Sequence, residues 1–127
     1  TDDQILNLAG GGGVIGLNAF PAFLSSDGSR PHIQDLLDQA DYLLGLAGAD
    51  SVSIGLDFIE GWTDVEKVNL RKHAHAFGSS YDFPVGLEGV SQLPNLTRGF
   101  LSRGHDEQTI KGILGENLLE FFKRVWK

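Results

Sequence analysis

Cysteine and methionine are both absent from these 127 residues, and basic side chains are scarce: ten Lys and Arg stand against seventeen Asp and Glu, for a formal net charge of −7. The missing thiols exclude a disulfide framework and thiolate metal ligation. The acidic balance argues against a nucleic-acid partner, because such a surface repels a polyphosphate backbone. There is no apolar run of about 18 residues or more, so no transmembrane segment is expected, and Thr1-Asp2-Asp3 is not a secretory signal. These absences lead to the expectation of a cytoplasmic protein, although a periplasmic one can also lack cysteine. No internal repeat or low-complexity tract appears beyond the four glycines at 10–13.

With 41% hydrophobic and 21% charged residues, the chain has the composition of a globular domain. Its most informative stretch is Ser51-Val-Ser-Ile-Gly-Leu-Asp57-Phe58. A strand covered on both faces reads as a near-continuous apolar run, and an acid at its C-terminal tip faces the loops where α/β proteins keep their chemistry. Asp57 is therefore the first candidate for function; a loop or helix-capping carboxylate is the alternative. Upstream, Gly13-Val-Ile-Gly-Leu-Asn18 has the same layout and makes Asn18 the second candidate, its amide either contacting substrate or stabilising the strand end.

Between the runs, Ile33, Leu36, Leu37, Ala40, Leu43, Leu44 and Ala47 recur at spacings of three and four. They predict a helix over 31–48, with Pro31 in its first turn and Gly48 as its cap. Strand, helix and strand make a βαβ unit, which implies a parallel sheet. Residues 2–8 read as the tail of a helix. Two parallel strands close no domain, since both edges stay open and much of each helix stripe stays uncovered. The chain is accordingly expected to be the C-terminal piece of a longer protein.

Beyond Asp57 the pattern is loop and then helix. Thr63 or Asp64 caps a helix to about 77, 78–84 is a polar break, a short helix runs to about 103, Asp106 caps one to about 115, and a last helix spans about 116–126. Leu118, Leu119, Phe121, Phe122, Val125 and Trp126 give that last helix a broad apolar face. His73-Ala74-His75 is a poor metal pair, because helical ligands lie three or four apart. His32 and His105, at helix starts, read as surface residues, and Asp35, Asp38, Asp41 and Asp50 as a solvated row. The glycines at 10–13 follow a helix and precede a strand, the reverse of a phosphate cradle, and read as a helix cap.

Four separated segments carry a resemblance: Val14-Ile-Gly-Leu-Asn18-Ala-Phe20, Leu46-Ala-Gly-Ala-Asp50-Ser-Val-Ser-Ile-Gly-Leu-Asp57-Phe58, Gly86-Leu-Glu-Gly-Val-Ser91-Gln-Leu-Pro94-Asn95-Leu and Ile113-Leu-Gly-Glu-Asn117-Leu-Leu-Glu-Phe121. In this order they resemble the C-terminal part of the membrane (renal) dipeptidase family, the M19 metallopeptidases of the amidohydrolase superfamily. The likeness covers nearly the whole chain, an insertion at about 59–82 excepted. It implies a (β/α)8 TIM barrel of which residues 1–127 supply strands seven and eight and the terminal helices, as one segment of a single domain. It also implies two zinc ions at the barrel mouth, with ligands upstream of this chain, and hydrolysis of unblocked dipeptides by metal-activated water.

On that resemblance Asp57 is the acid of the eighth strand, which binds the substrate's free amino group and handles the proton of the attacking water. The partners implied are a dipeptide substrate and the remainder of the barrel. Family members often follow the acid with Phe-Asp-Gly, whereas here Phe58 is followed by Ile59-Glu60-Gly61, a departure that bears on substrate preference. Trp62, Tyr81 and Phe83 fall in or beside the insertion above the mouth, lining a cleft or packing over the helices. The alternative function is a non-catalytic α/β binding or assembly module built on the same packing.

Overall fold

In the computed structural model, which describes residues 1–61, 63–73 and 82–126, the two apolar runs form β1 (Ile15–Leu17) and β2 (Val52–Ile54). They pair in parallel, with Ile15 opposite Val52, Gly16 opposite Ser53 and Leu17 opposite Ile54. Bonding continues past the regular strands. The Gly55 N–H donates to the Leu17 carbonyl at 2.9 Å and the Ala19 N–H to the Leu56 carbonyl at 3.3 Å.

The remaining named elements are helices: α1 (Asp2–Gly10), α2 (Pro21–Leu24), α3 (Ile33–Ala47), α4 (Asp64–His73), α5 (Pro94–Ser102), α6 (Glu107–Lys111) and α7 (Asn117–Val125). The chain is therefore mixed α/β, and β1, α3 and β2 form the expected unit. None of the described helices is long and apolar enough to cross a membrane.

The apolar stripe of α3 buries Leu36, Leu37 and Ala40. They join Leu17, Ala19, Val52 and Leu56 from the strand runs and Leu96, Phe100, Ile110 and Ile113 from the C-terminal helices. Each large side chain so buried contributes about 1.5–3 kcal/mol, so this layer fixes the strands to the helices. The helix starts at Ile33 and not in a turn holding Pro31. His32 is its extended N-cap residue, its N–H donates to Asp35 Oδ2 at 2.6 Å, and the Pro31 carbonyl instead accepts the Val85 N–H at 2.8 Å. Gly48 closes the helix at φ 84°, a conformation that glycine adopts without a steric penalty.

The glycine run behaves as a cap. Gly12 and Gly13 donate to the carbonyls of Ala9 and Leu8 at 2.8 and 2.9 Å. Thr63 and Glu66 form a reciprocal capping box at the start of α4: Glu66 Oε2 accepts from the Thr63 N–H and hydroxyl, both at 2.7 Å, and Thr63 Oγ1 accepts the Glu66 N–H. The expected extension of that helix to about 77 lies outside the described residues.

The acids of α3 are not one solvated row. Arg103 reaches across from the end of α5 to Asp41 Oδ2 (2.5 Å), Asp38 Oδ1 (2.7 Å) and Gln34 Oε1 (2.8 Å). His105 Nε2 lies 2.7 Å from the other Asp41 oxygen, and its ring meets Phe100 edge to face. His105 is thus a bridging residue and not a free surface imidazole, because the turn after α5 presses it onto α3. His32 is exposed, as its position at the helix start suggests.

At the start of β2 both faces are covered, since Val52 and Ser53 are buried. The Ser53 hydroxyl donates to the Ile113 carbonyl at 3.2 Å, and Asn117 Nδ2 donates to the carbonyls of Ala49 and Val52 at 2.6 and 2.7 Å. Gly16 and Gly55, adjacent across the strands, are both exposed, although Leu17, Ala19 and Leu56 beyond them are buried. No residue of α7 is buried, and Leu119, Val125 and Trp126 are exposed.

Candidate functional site

Both candidate residues stand where the parallel strands part, Asn18 just before and Asp57 just after the residues of the last hydrogen bond between them, from the Ala19 N–H to the Leu56 carbonyl. Asn18 turns β1 into its loop: its Oδ1 accepts the Phe20 N–H at 2.7 Å, an Asx turn that satisfies the backbone as the chain leaves the sheet. Its oxygen is thereby committed to the loop. Its Nδ2 carries no hydrogen bond to another described residue.

Asp57 turns β2 outward. It is exposed and has a left-handed backbone at φ 61°, alone among the described non-glycine residues. Aspartate tolerates that region better than most side chains, yet the conformation still costs on the order of 1–3 kcal/mol. The carboxylate makes no hydrogen bond or ion pair with another described residue. A charged, solvent-facing acceptor at the open ends of two parallel strands can bind a cationic group or take up a proton.

The chain on either side of the strand ends is tied to segments far apart in sequence. Phe58, next to Asp57, meets the Phe83 ring edge to face with centroids 5.1 Å apart. Arg30, between α2 and α3, donates from Nε to the Phe83 carbonyl at 2.9 Å and lies 3.7 Å from Glu88. Glu88 accepts the Gly86 N–H at 3.1 Å, and that bond, followed by weaker help from Arg30, holds its carboxyl below the usual range. Glu60, in the departure after Phe58, accepts the Val90 N–H at 2.5 Å. Val85 bridges to Pro31 and Ile33 through two backbone bonds. Between α2 and α3, hydrogen bonds from Ser29 and then Ser25 lower the Asp27 carboxyl to about 2.

Sequence reasoning missed Arg30, Glu60 and Glu88. A signal for Arg30 was present, because it is the only Lys or Arg before Lys67. Phe83 is nearly buried, so it packs and does not line an open cleft. Trp62, Tyr81 and His75 lie outside the described residues. Among the described residues no three His, Cys, Asp or Glu side chains cluster to suit a metal ion. A separate groove of about 520 Å³, lined by Ile54, Leu93, Pro94, Thr97, Arg98 and Leu114, contains neither Asp57 nor Asn18.

Comparison with known proteins adds to this geometry. Residues 1–71 and 73–127 match the family model described as membrane dipeptidase, peptidase family M19. The chain is 30% identical over 130 aligned residues to an uncharacterized protein in the pqqA 5′ region of Klebsiella pneumoniae, covering 100% of the chain and 41% of that protein. Over 52 residues, 38% of the chain, it is 50% identical to Dipeptidase 3 of Mus musculus and covers 10% of it. Its fold is similar to the crystal structure of an amidohydrolase from Pseudomonas aeruginosa, with a TM-score of 0.81 and 27% identity over 98% of this chain and 40% of that one. A metallo peptidase from Rhodobacter sphaeroides, liganded with a phosphinate mimic of the dipeptide L-Ala-D-Ala, gives a TM-score of 0.76 and 27% identity over 99% of this chain and 31% of that one. The chain thus spans about two fifths of the Klebsiella relative.

Proposed function

The chain belongs to the membrane dipeptidase family, peptidase family M19, and from that membership we propose that it serves a metal-dependent dipeptidase that hydrolyses the peptide bond of unblocked dipeptides. The observation that carries this reading is Asp57: an exposed carboxylate, bonded to no other described residue, at the C-terminal end of a parallel strand, on a strained backbone. In the proposal its negative charge holds the substrate's free ammonium group. The same carboxylate receives a proton from the attacking water and returns it to the departing amine, a role worth about 10²–10⁴ in rate. Asn18, through the Nδ2 that its Asx turn leaves over, contacts the substrate.

We further propose that residues 1–127 are the closing segment of a (β/α)8 barrel, contributing strands seven and eight and the terminal helices, with an insertion at about 59–82. Three observations support it: the pair is parallel, Gly16 and Gly55 lie uncovered, and α7 buries none of its residues. The described residues supply no fitting ligand set for the zinc ions that the family implies. In this proposal the zinc ligands belong to the rest of the barrel.

The test is Asp57→Asn in the complete protein, with metal measured by elemental analysis and hydrolysis of an unblocked dipeptide by amine release. Retained zinc with a turnover lowered by about 10²–10⁴ supports the assignment. Unchanged kinetics overturn it, and native material with neither zinc nor dipeptide hydrolysis removes the enzyme reading altogether.

A further inference from the structure

The left-handed backbone of Asp57 needs a physical cause. At φ 61° the side chain of an L-residue crowds the following carbonyl, so the conformation persists only where flanking residues impose it. Both flanks are fixed here. Leu56, before it, is buried, and its carbonyl accepts the Ala19 N–H. Phe58, after it, packs against the core and meets Phe83 at an interplanar angle of 70°. Phe83 in turn is 8% exposed and is held through its carbonyl by Arg30 Nε at 2.9 Å. No described side chain bonds the Asp57 carboxylate, so what aims it is the Cα–Cβ direction that the backbone sets.

We propose that Phe83 is a positioning residue for Asp57: clamped by Arg30, it anchors Phe58 and through Phe58 the strained turn that aims the carboxylate. This inference rests on the role given to Asp57 under the proposed function. The contact is directional because an aromatic edge is electropositive and seeks the face of its neighbour. An aliphatic side chain of similar volume fills the space without reproducing that preference. Arg30 comes from the connection between β1 and α3, past α2, so the clamp joins the connections that follow both strands.

The experiment is a double-mutant cycle in the complete enzyme with Phe83→Leu, Asp57→Asn and both together, and with Arg30→Gln as a second, exposed lever that spares the core. Phe83→Leu is expected to lower kcat/KM roughly ten- to a hundredfold, with metal content unchanged, and Phe83→Tyr, which keeps the ring, to restore most of the rate. Arg30→Gln acts in the same direction and less strongly. In the Asp57→Asn background neither change costs anything more, because residues that act as a unit are not additive. A wild-type kcat/KM in both Phe83→Leu and Arg30→Gln overturns the inference, as does an equal loss in both backgrounds or a rate that falls in step with metal content. Wild-type kinetics in Asp57→Asn overturn the Asp57 assignment and this inference together, whereas a slow Asp57→Asn beside an additive Phe83→Leu overturns this inference alone.

Discussion

Leu37 of α3 lies directly against the backbone of Gly99 in α5: a methyl group at 99 would stand 2.5 Å from Leu37 Cδ1 and 3.2 Å from Cδ2. Leu37 is fully buried and has no room to swing aside. Overpacking of this kind costs about 1–3 kcal/mol, and alanine returns about 1 kcal/mol of helix propensity over glycine. Gly99→Ala is therefore expected to destabilise by up to about 2 kcal/mol in urea unfolding. Paired with Leu37→Ala, it should show a favourable coupling of about 0.5–3 kcal/mol. A more stable single variant would show that α3 and α5 are not in contact here.

Asp41 sits between Arg103 and His105, and its pH response follows from that position. Partial burial pushes its carboxyl up, but hydrogen bonds from Arg103 and His105, with the positive charge of Arg103, outweigh burial and hold it below its ordinary value. A depressed acid favours the folded state above the unfolded pKa of about 3.9, and that advantage fades as pH falls through the lower folded value. Asp41→Asn should therefore lower the melting temperature at pH 7. The difference from wild type should shrink below about pH 4. A gap that widens on acidification would contradict the arrangement.

Asn117 is the pin between α7 and the start of β2. Its Nδ2 donates to the carbonyls of Ala49 and Val52, and both lose a partner in Asn117→Ala, at about 1–3 kcal/mol. Asn117→Asp should be worse. It keeps the shape but turns a carboxylate oxygen toward two carbonyl oxygens, so the order of stability by thermal melting is Asn, then Ala, then Asp. Equal stability of the two variants would mean that packing and not hydrogen bonding holds this corner.

What was legible in the sequence is what depends on neighbours. The α3 stripe, the Gly48 cap, the Asp106 cap, which accepts the Thr109 N–H at 2.8 Å, and the acid after the second run all follow from periodicity or from a side chain reaching a few residues along. Pro31 was misplaced because a bridge to Val85 claims its carbonyl. The contacts beyond the strand ends lacked a local signature: Arg30 meets Phe83 across 53 residues and Glu60 meets Val90 across 30. His105 meets Asp41 across 64. No spacing rule connects such pairs, since closing long loops depends on the core that forms between them.

Asp57→Gly separates folding from function at the candidate acid. Glycine reaches φ near +60° without the crowding that an aspartate Cβ meets there, which relieves about 1–2 kcal/mol of strain. Its unfolded chain is more flexible, and that takes back about 0.4–1 kcal/mol. The carboxylate is exposed and bonded to no described residue, so its loss removes no native contact to offset the gain. The Asp57→Gly variant is thus expected to be as stable as wild type or slightly more so, while dipeptide hydrolysis falls by about 10²–10⁴. Higher stability with lost activity is the signature of a residue kept for chemistry at a cost in folding. If the variant instead unfolds at markedly lower denaturant, Asp57 supports the fold through contacts of its own, and the strain on its backbone has a structural purpose.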